Sequence, residues 1–209
     1  VSPEVRGYVS FGEEKRVTLA ARLKGGTLLS TTGDSPIIAR FFSGGSSMRG
    51  FGTRRLAPLL AVPKANAVPD PTSGVVPAET LPIGGKGLVE ASLELRWNAV
   101  GDLVLALFGD AGAVTYETLG PGNLSQLWPY LYTAVGVGAR YRTPLGPIRL
   151  DLAFRLPIGS PQRVFQNDSR TLGYDVSHGC FGIGGGTSDV YAGSPDGLCA
   201  FQLSIGEAF

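Results

Sequence analysis

Apolar and polar residues alternate with a period of two along much of the chain. The pattern is sharpest over residues 148–156, where every second residue is large and apolar and those between are charged or small. This period is typical of β-strands, whose successive side chains point to opposite faces. The alternation predicts an all-β chain with seven strands, at residues 5–11, 16–29, 88–97, 103–114, 131–142, 148–156 and 199–209.

The connections between the predicted strands alternate between short and long. Residues 98–101 and 143–147 are short turns, whereas 30–86 and 157–198 are long and rich in glycine and proline. We expect these long segments to be loops without strands of their own, which in compact domains are usually functional. Short turns on one side and long loops on the other are typical of antiparallel transmembrane β-barrels.

The distribution of charge over the two strand faces also favours a membrane barrel. The polar faces carry charges of both signs and the apolar faces carry almost none, and Trp97, Tyr130 and Tyr141 lie near strand ends. A barrel turns its apolar face to lipid and its polar face to the lumen, with aromatic residues at the membrane interfaces. A soluble β-sandwich is the alternative. Because closed bacterial barrels have an even number of strands, seven strands predict the carboxy-terminal part of a larger barrel.

Composition excludes several classes of protein and site. The net charge is +1 with both signs interspersed, which gives no indication of a nucleic-acid surface. Cys180 and Cys199 are the two cysteines, and we predict a disulfide between them, with two unpaired thiols as the alternative. His178 is the one histidine. The sequence therefore predicts no metal site and no cofactor.

One segment of the first long loop carries a family signature. Residues 40–51 read RFFSGGSSMRGF, and residues 54–58 read RRLAP. These segments resemble the loop signature of the BamA/TamA outer-membrane assembly-factor superfamily, also called the bacterial surface antigen family. The FGDAG segment at 108–112 and the terminal strand fall in the family's order.

The resemblance implies a barrel of about sixteen strands preceded by periplasmic POTRA domains. Residues 1–209 would be its carboxy-terminal part, without the POTRA domains and the first strands. The loop at 30–86 would enter the lumen, and 157–198 would be a long outer loop. The resemblance also implies a terminal β-signal, which would comprise Phe201, Leu203, Ile205, Gly206 and Phe209.

The same resemblance implies a contact between the lumen loop and the barrel wall. Arg49, in the motif Arg49-Gly50-Phe51, would pair with Asp110 of the Phe108-x-Asp110-x-Gly112 segment, with Glu94 as a second partner. The alternation by itself places Glu94, Phe108 and Asp110 on the polar face.

The function implied is assembly of other proteins in the bacterial outer membrane. Such a protein would insert or translocate unfolded outer-membrane clients by templated strand addition at the barrel seam, without making or breaking a covalent bond. Its partners would be outer-membrane lipids, these clients and accessory assembly proteins. The alternatives are a polypeptide transporter of the two-partner secretion type and the barrel anchor of a patatin-like hydrolase.

Overall fold

A computed structural model describes residues 2–12, 16–29, 35–120, 122, 124–144, 146–156, 162–167, 169–174, 176–177, 180, 185–186 and 197–205. Its strands are β1 (Glu4–Phe11), β2 (Val17–Thr27), β3 (Leu59–Pro63), β4 (Val76–Pro82), β5 (Gly87–Val100), β6 (Leu103–Thr115), β7 (Tyr132–Tyr141), β8 (Ile148–Leu156), β9 (Val164–Gln166), β10 (Leu172–Tyr174), β11 (Val176–Ser177), β12 (Gly185–Gly186) and β13 (Cys199–Ile205). Short 3-10 helices span Ile37–Ala39 and Leu124–Tyr130.

Seven strands form one sheet in the order β1-β2-β5-β6-β7-β8-β13. Each neighbouring pair is antiparallel, so the predicted all-β antiparallel architecture is confirmed. The register places side chains of the same sheet face opposite one another. Leu107 lies opposite Leu95 and Val137 on the apolar face, and Phe108 lies opposite Glu94 and Gly136 on the polar face. The sheet therefore has an exposed apolar face and a polar face. No helix among the described residues is long and apolar enough to cross a membrane.

The first long loop contains strands that the sequence analysis did not predict. Within 30–86, β3 and β4 form an antiparallel hairpin. β9 and β10, which come from the 157–198 segment, pair in parallel with β3 and β4 respectively. The expectation of loops without strands was therefore wrong for both segments. The hairpin strands are short: β3 ends at Pro63, and β4 contains Pro77 and ends at Pro82. Such short, proline-containing segments show too little alternation to be recognised as strands.

A disulfide joins Cys180 to Cys199, the first residue of β13. It closes a loop with a sequence separation of 19 residues and so ties the last long segment to the start of the terminal strand. Gly206 and Phe209 of the predicted terminal signal lie outside the described residues.

We expect a chymotryptic digest of unreduced protein, which cleaves between the two cysteines at Phe181 and Tyr191, to yield one peptide pair linked through Cys180 and Cys199. Reduction should separate the pair and increase the summed mass by two hydrogens, because breaking the disulfide yields two thiols. Mass spectrometry checks this directly. Alkylation of both thiols before any reduction would contradict the pairing.

Candidate functional site

The tip of the first long loop is a tight turn built on glycine. Gly44, Gly45 and Gly50 have φ values of 113°, 66° and 105°, a region that residues with a Cβ rarely adopt. The Gly45 N–H donates to the carbonyl oxygen of Phe51 at 3.0 Å and closes the turn. A Cβ at Gly50 would lie 2.9 Å from the Ala134 Cβ. The turn therefore brings residues 45–51, which we call the loop tip, against the sheet.

The loop tip is anchored on the polar face by apolar packing. Its anchor is a buried cluster of Met48, Phe51, Leu56, Ala57, Leu88, Val114 and Ala134. The Phe51 ring meets the Tyr132 ring edge-on, with 5.5 Å between centroids. Burying a large apolar side chain such as that of Met48, Phe51 or Leu56 stabilises the docked loop by about 1.5–3 kcal/mol. This packing fixes the backbone from which Arg49 extends.

Arg49 lies between two strands and is held by a carboxylate from each. Its Nε and Nη2 donate to the two carboxylate oxygens of Asp110, each at 2.7 Å, and its Nη1 donates to Glu94 Oε2 at 2.6 Å. Its backbone N–H also donates to Asp110 Oδ2, at 3.1 Å. Ser92 Oγ lies 3.1 Å from Arg49 Nη2 and donates to Asp110 Oδ1 at 2.6 Å. The planar guanidinium suits this bidentate arrangement, which specifies the register of the loop on the sheet.

The two carboxylates also belong to a wider ionic network on the polar face. Glu94 accepts from Arg140 Nη2 at 2.8 Å and from Arg96 Nε at 2.6 Å. Asp151 lies 3.8 Å from Arg49 Nη1 and 3.7 Å from Arg140 Nη2. Positive and negative groups therefore alternate around Arg49, as buried charges require if each is to be compensated.

Phe108 contacts the guanidinium of Arg49 with the face of its ring. The Arg49 Cζ lies 3.5 Å from the centroid of the Phe108 ring, a cation–π arrangement. The ring can occupy this place because Gly136 lies opposite Phe108. A Cβ at Gly136 would lie 2.7 Å from the Phe108 Cε2. Gly112 has a similar relation to the loop, since a Cβ there would lie 3.3 Å from both the Met48 Sδ and the Leu56 Cδ2.

The guanidinium of Arg49 is almost fully buried, with 1% of its side chain exposed. Burial alone would lower the pKa of Arg49. The hydrogen bonds and negative charges of Asp110 and Glu94 outweigh that effect and raise its pKa above the ordinary value. Arg49 is therefore a permanent cation. Among the described residues, no group of His, Cys, Asp and Glu side chains could hold a metal ion.

The structure brings the predicted loop residues and their predicted partners into one place. Arg49, Glu94, Phe108 and Asp110 are in contact, and Gly50, Phe51 and Gly112 pack beside them. Phe201, Leu203 and Ile205 lie instead on the exposed apolar face of β13.

Six residues of the site were not predicted from the sequence: Ser92, Arg96, Tyr132, Gly136, Arg140 and Asp151. The alternation places Ser92 on the polar face, between Glu90 and Glu94. The alternation also places Gly136, Arg140 and Asp151 on the polar face, but a place on that face does not show which residues contact the loop.

Comparison with known proteins identifies the family. A model of the Omp85 superfamily domain matches residues 1–209. The chain belongs to the Omp85 superfamily. The outer membrane protein assembly factor BamA of Nitratidesulfovibrio vulgaris (strain Hildenborough) is 33% identical over 145 residues, which cover 68% of this chain and 16% of that protein. The predicted resemblance to the BamA/TamA proteins is confirmed.

A solved structure shows the same fold. The crystal structure of BamA from Haemophilus ducreyi lacking POTRA domains 1-3 matches 97% of this chain with a TM-score of 0.54 and 16% sequence identity. The match covers 34% of that chain, so the Omp85 chain described here corresponds to part of the BamA barrel. The match to the Omp85 superfamily and the similarity to the BamA of Nitratidesulfovibrio vulgaris confirm the predicted location in the bacterial outer membrane.

Proposed function

We propose that this chain is the carboxy-terminal part of a barrel that inserts other β-barrel proteins into the outer membrane. The observation that carries the proposal is the buried Arg49 site, which joins a long loop to the polar face of an Omp85 barrel segment. The similarity to BamA, an outer membrane protein assembly factor, supports the activity. The polar face is then the lumen, and the first long loop folds into it.

The proposed insertion proceeds by templated strand addition at β13. β13 ends the seven-stranded sheet, and its second edge has no partner among the described residues. Such an edge presents backbone N–H and C=O groups on which an unfolded client can form a new strand. Phe201, Leu203 and Ile205 turn their side chains toward lipid, so a client paired with β13 acquires the matching orientation. Only hydrogen bonds and lipid contacts change, and no covalent chemistry is involved.

The Arg49 loop has a bracing role in this proposal. An opening seam loses hydrogen bonds along one side of the barrel, and the remaining wall must keep its curvature. The bonds from Arg49 to Glu94 on β5 and to Asp110 on β6 hold these neighbouring strands against one loop. Residues 157–198 would lie on the outer side, where β9 and β10 hold the loop's hairpin. POTRA domains and the first strands would precede the chain.

Proteoliposomes carrying the full-length protein test the proposal. We expect a urea-unfolded outer-membrane barrel to acquire protease resistance and heat-modifiable gel migration faster than with vesicles containing an unrelated barrel. The expected clients are outer-membrane β-barrel proteins, because a client strand would pair with the edge of β13. Insertion at the rate of the control vesicles, together with transfer of a soluble polypeptide into the vesicle interior, would favour the two-partner secretion type instead.

A further inference from the structure

A groove separates the loop tip from the terminal strand. It has a volume of about 380 Å³ and is lined by residues 45–46 and 51–53 of the loop and by residues 200–204 of β13. On the opposite side, the loop tip packs through the buried cluster and the ionic bonds of Arg49. The attachment of the loop is therefore asymmetric, tight toward β5 and β6 and open toward β13.

Gln202 crosses this groove. It is on the polar face of β13, opposite Asp151 of β8. Its Nε2 donates to the carbonyl oxygen of Phe51 at 3.3 Å. The same carbonyl accepts the Gly45 N–H that closes the loop tip. A carbonyl oxygen has two lone pairs and accommodates both donors. The hydrogen bond that closes the loop tip and the hydrogen bond from β13 therefore share one acceptor, the carbonyl oxygen of Phe51.

The chemistry of this contact differs from that of the Arg49 site. Separating Arg49 from Asp110 and Glu94 exposes buried charges, whereas separating Gln202 from Phe51 breaks one neutral hydrogen bond. A neutral bond is far easier to exchange with water than a buried ion pair. β13 can consequently leave the loop while Arg49 stays in place.

We propose that Gln202 is a positioning residue that couples the terminal strand to the closure of the loop tip. When β13 keeps its place beside the loop tip, the Gln202 amide supports the Phe51 carbonyl and keeps the tip closed. When β13 moves away, the carbonyl loses that donor and the Gly45 turn loosens. The loop thus responds to the state of the seam strand through a residue outside the Arg49-Gly50-Phe51 motif.

Hydrogen exchange of the Gly45 amide in the full-length protein tests the coupling. Gln202→Met removes the donor at similar side-chain length, and we expect about fivefold faster exchange of Gly45, as for loss of one neutral hydrogen bond. Ser204→Ala, on the same face of β13, is the matched control and should leave the exchange rate unchanged. Heat-modifiable migration verifies folding. Gln202→Asn, whose amide is one methylene short, replaces the methionine variant if that variant does not fold.

A second arm separates coupling from a simple local contact. Leu150 of β8 and Leu203 of β13 lie directly opposite each other. In the double variant Leu150→Cys and Leu203→Cys, a bifunctional maleimide can link the two strands without reduction of the native disulfide. Locking should slow Gly45 exchange when Gln202 is present and have no effect with Gln202→Met. Equal slowing in both backgrounds, or unchanged exchange in Gln202→Met, would overturn the proposal. Neither measurement depends on client insertion, so the inference can fail independently of the proposed function.

Discussion

Replacing Arg49 with alanine is expected to release the first long loop from the polar face. The substitution removes the guanidinium that binds both carboxylate oxygens of Asp110, whose side chain is 1% exposed, whereas Glu94 keeps its hydrogen bonds from Arg140 and Arg96. Removing one partner of a buried ion pair costs about 3–5 kcal/mol, because the remaining charge is left uncompensated. We expect the folded, heat-modifiable form to be lost at a lower temperature and residues of the loop tip to become sensitive to protease.

The matched control for this variant is Arg54→Ala. Arg54 belongs to the same loop but is exposed, and its Cζ lies 4.0 Å from the Phe42 ring centroid. An exposed contact of this kind contributes about 0.5–1 kcal/mol, so Arg54→Ala should nearly preserve thermal stability. Equal losses from both variants would show that loop charge in general, and not the Arg49 site, holds the loop.

A double-mutant cycle identifies Asp110 as the partner. Arg49→Ala combined with Asp110→Ala should cost no more than the more harmful single substitution, since the second change removes a charge that the first left unpaired. Arg49→Lys should recover only part of the loss, because an ammonium cannot donate simultaneously to both Asp110 oxygens and to Glu94 in the planar geometry seen here. Additive losses in the cycle would contradict a paired role.

The strands of the seven-stranded sheet could be predicted because their two faces meet different environments, lipid and lumen. Lipid requires apolar side chains at every second position, and the lumen accepts polar ones between them. Ile148–Leu156 shows the result, since the predicted and observed bounds of that strand coincide. Elsewhere the ends shift by a few residues, as in β5, which runs on to Val100 past a register shift between Asn98 and Val100. Such irregularities leave no mark in the alternation.

The strands of the long loops could not be predicted from local sequence. β3 and β9 are distant in the chain and form parallel pairs, as between Leu59 and Val164. Strands this short gain stability from partners that a local pattern does not contain. The alternation along the strands was enough to place Glu94 and Asp110 on the polar face. It does not indicate which loop residue contacts them. That contact came only from the family resemblance, and Ser92 was missed for the same reason.

Gly136→Ala is expected to disturb the Arg49 site although Gly136 has no side chain of its own there. Gly136 lies opposite Phe108, and a Cβ there would overlap the Phe108 ring and the carbonyl oxygen of Leu152. Because the carbonyl belongs to the neighbouring strand and cannot rotate away, the ring or the strand must move. Overpacking of this kind costs about 1–3 kcal/mol. The Phe108 ring would then lose its place 3.5 Å from the Arg49 Cζ.

Gly109→Ala provides the comparison for this last substitution. Gly109 lies on β6 next to Phe108 but on the apolar face, and a Cβ there meets nothing within 4 Å. Both variants replace a strand glycine by alanine, so they share the same gain in backbone propensity. We expect Gly109→Ala to be neutral or slightly stabilising in thermal unfolding, and Gly136→Ala to be destabilising and to expose the loop tip to protease. Equal stability of the two variants would mean that the close approach of Phe108 to Gly136 does not position Arg49.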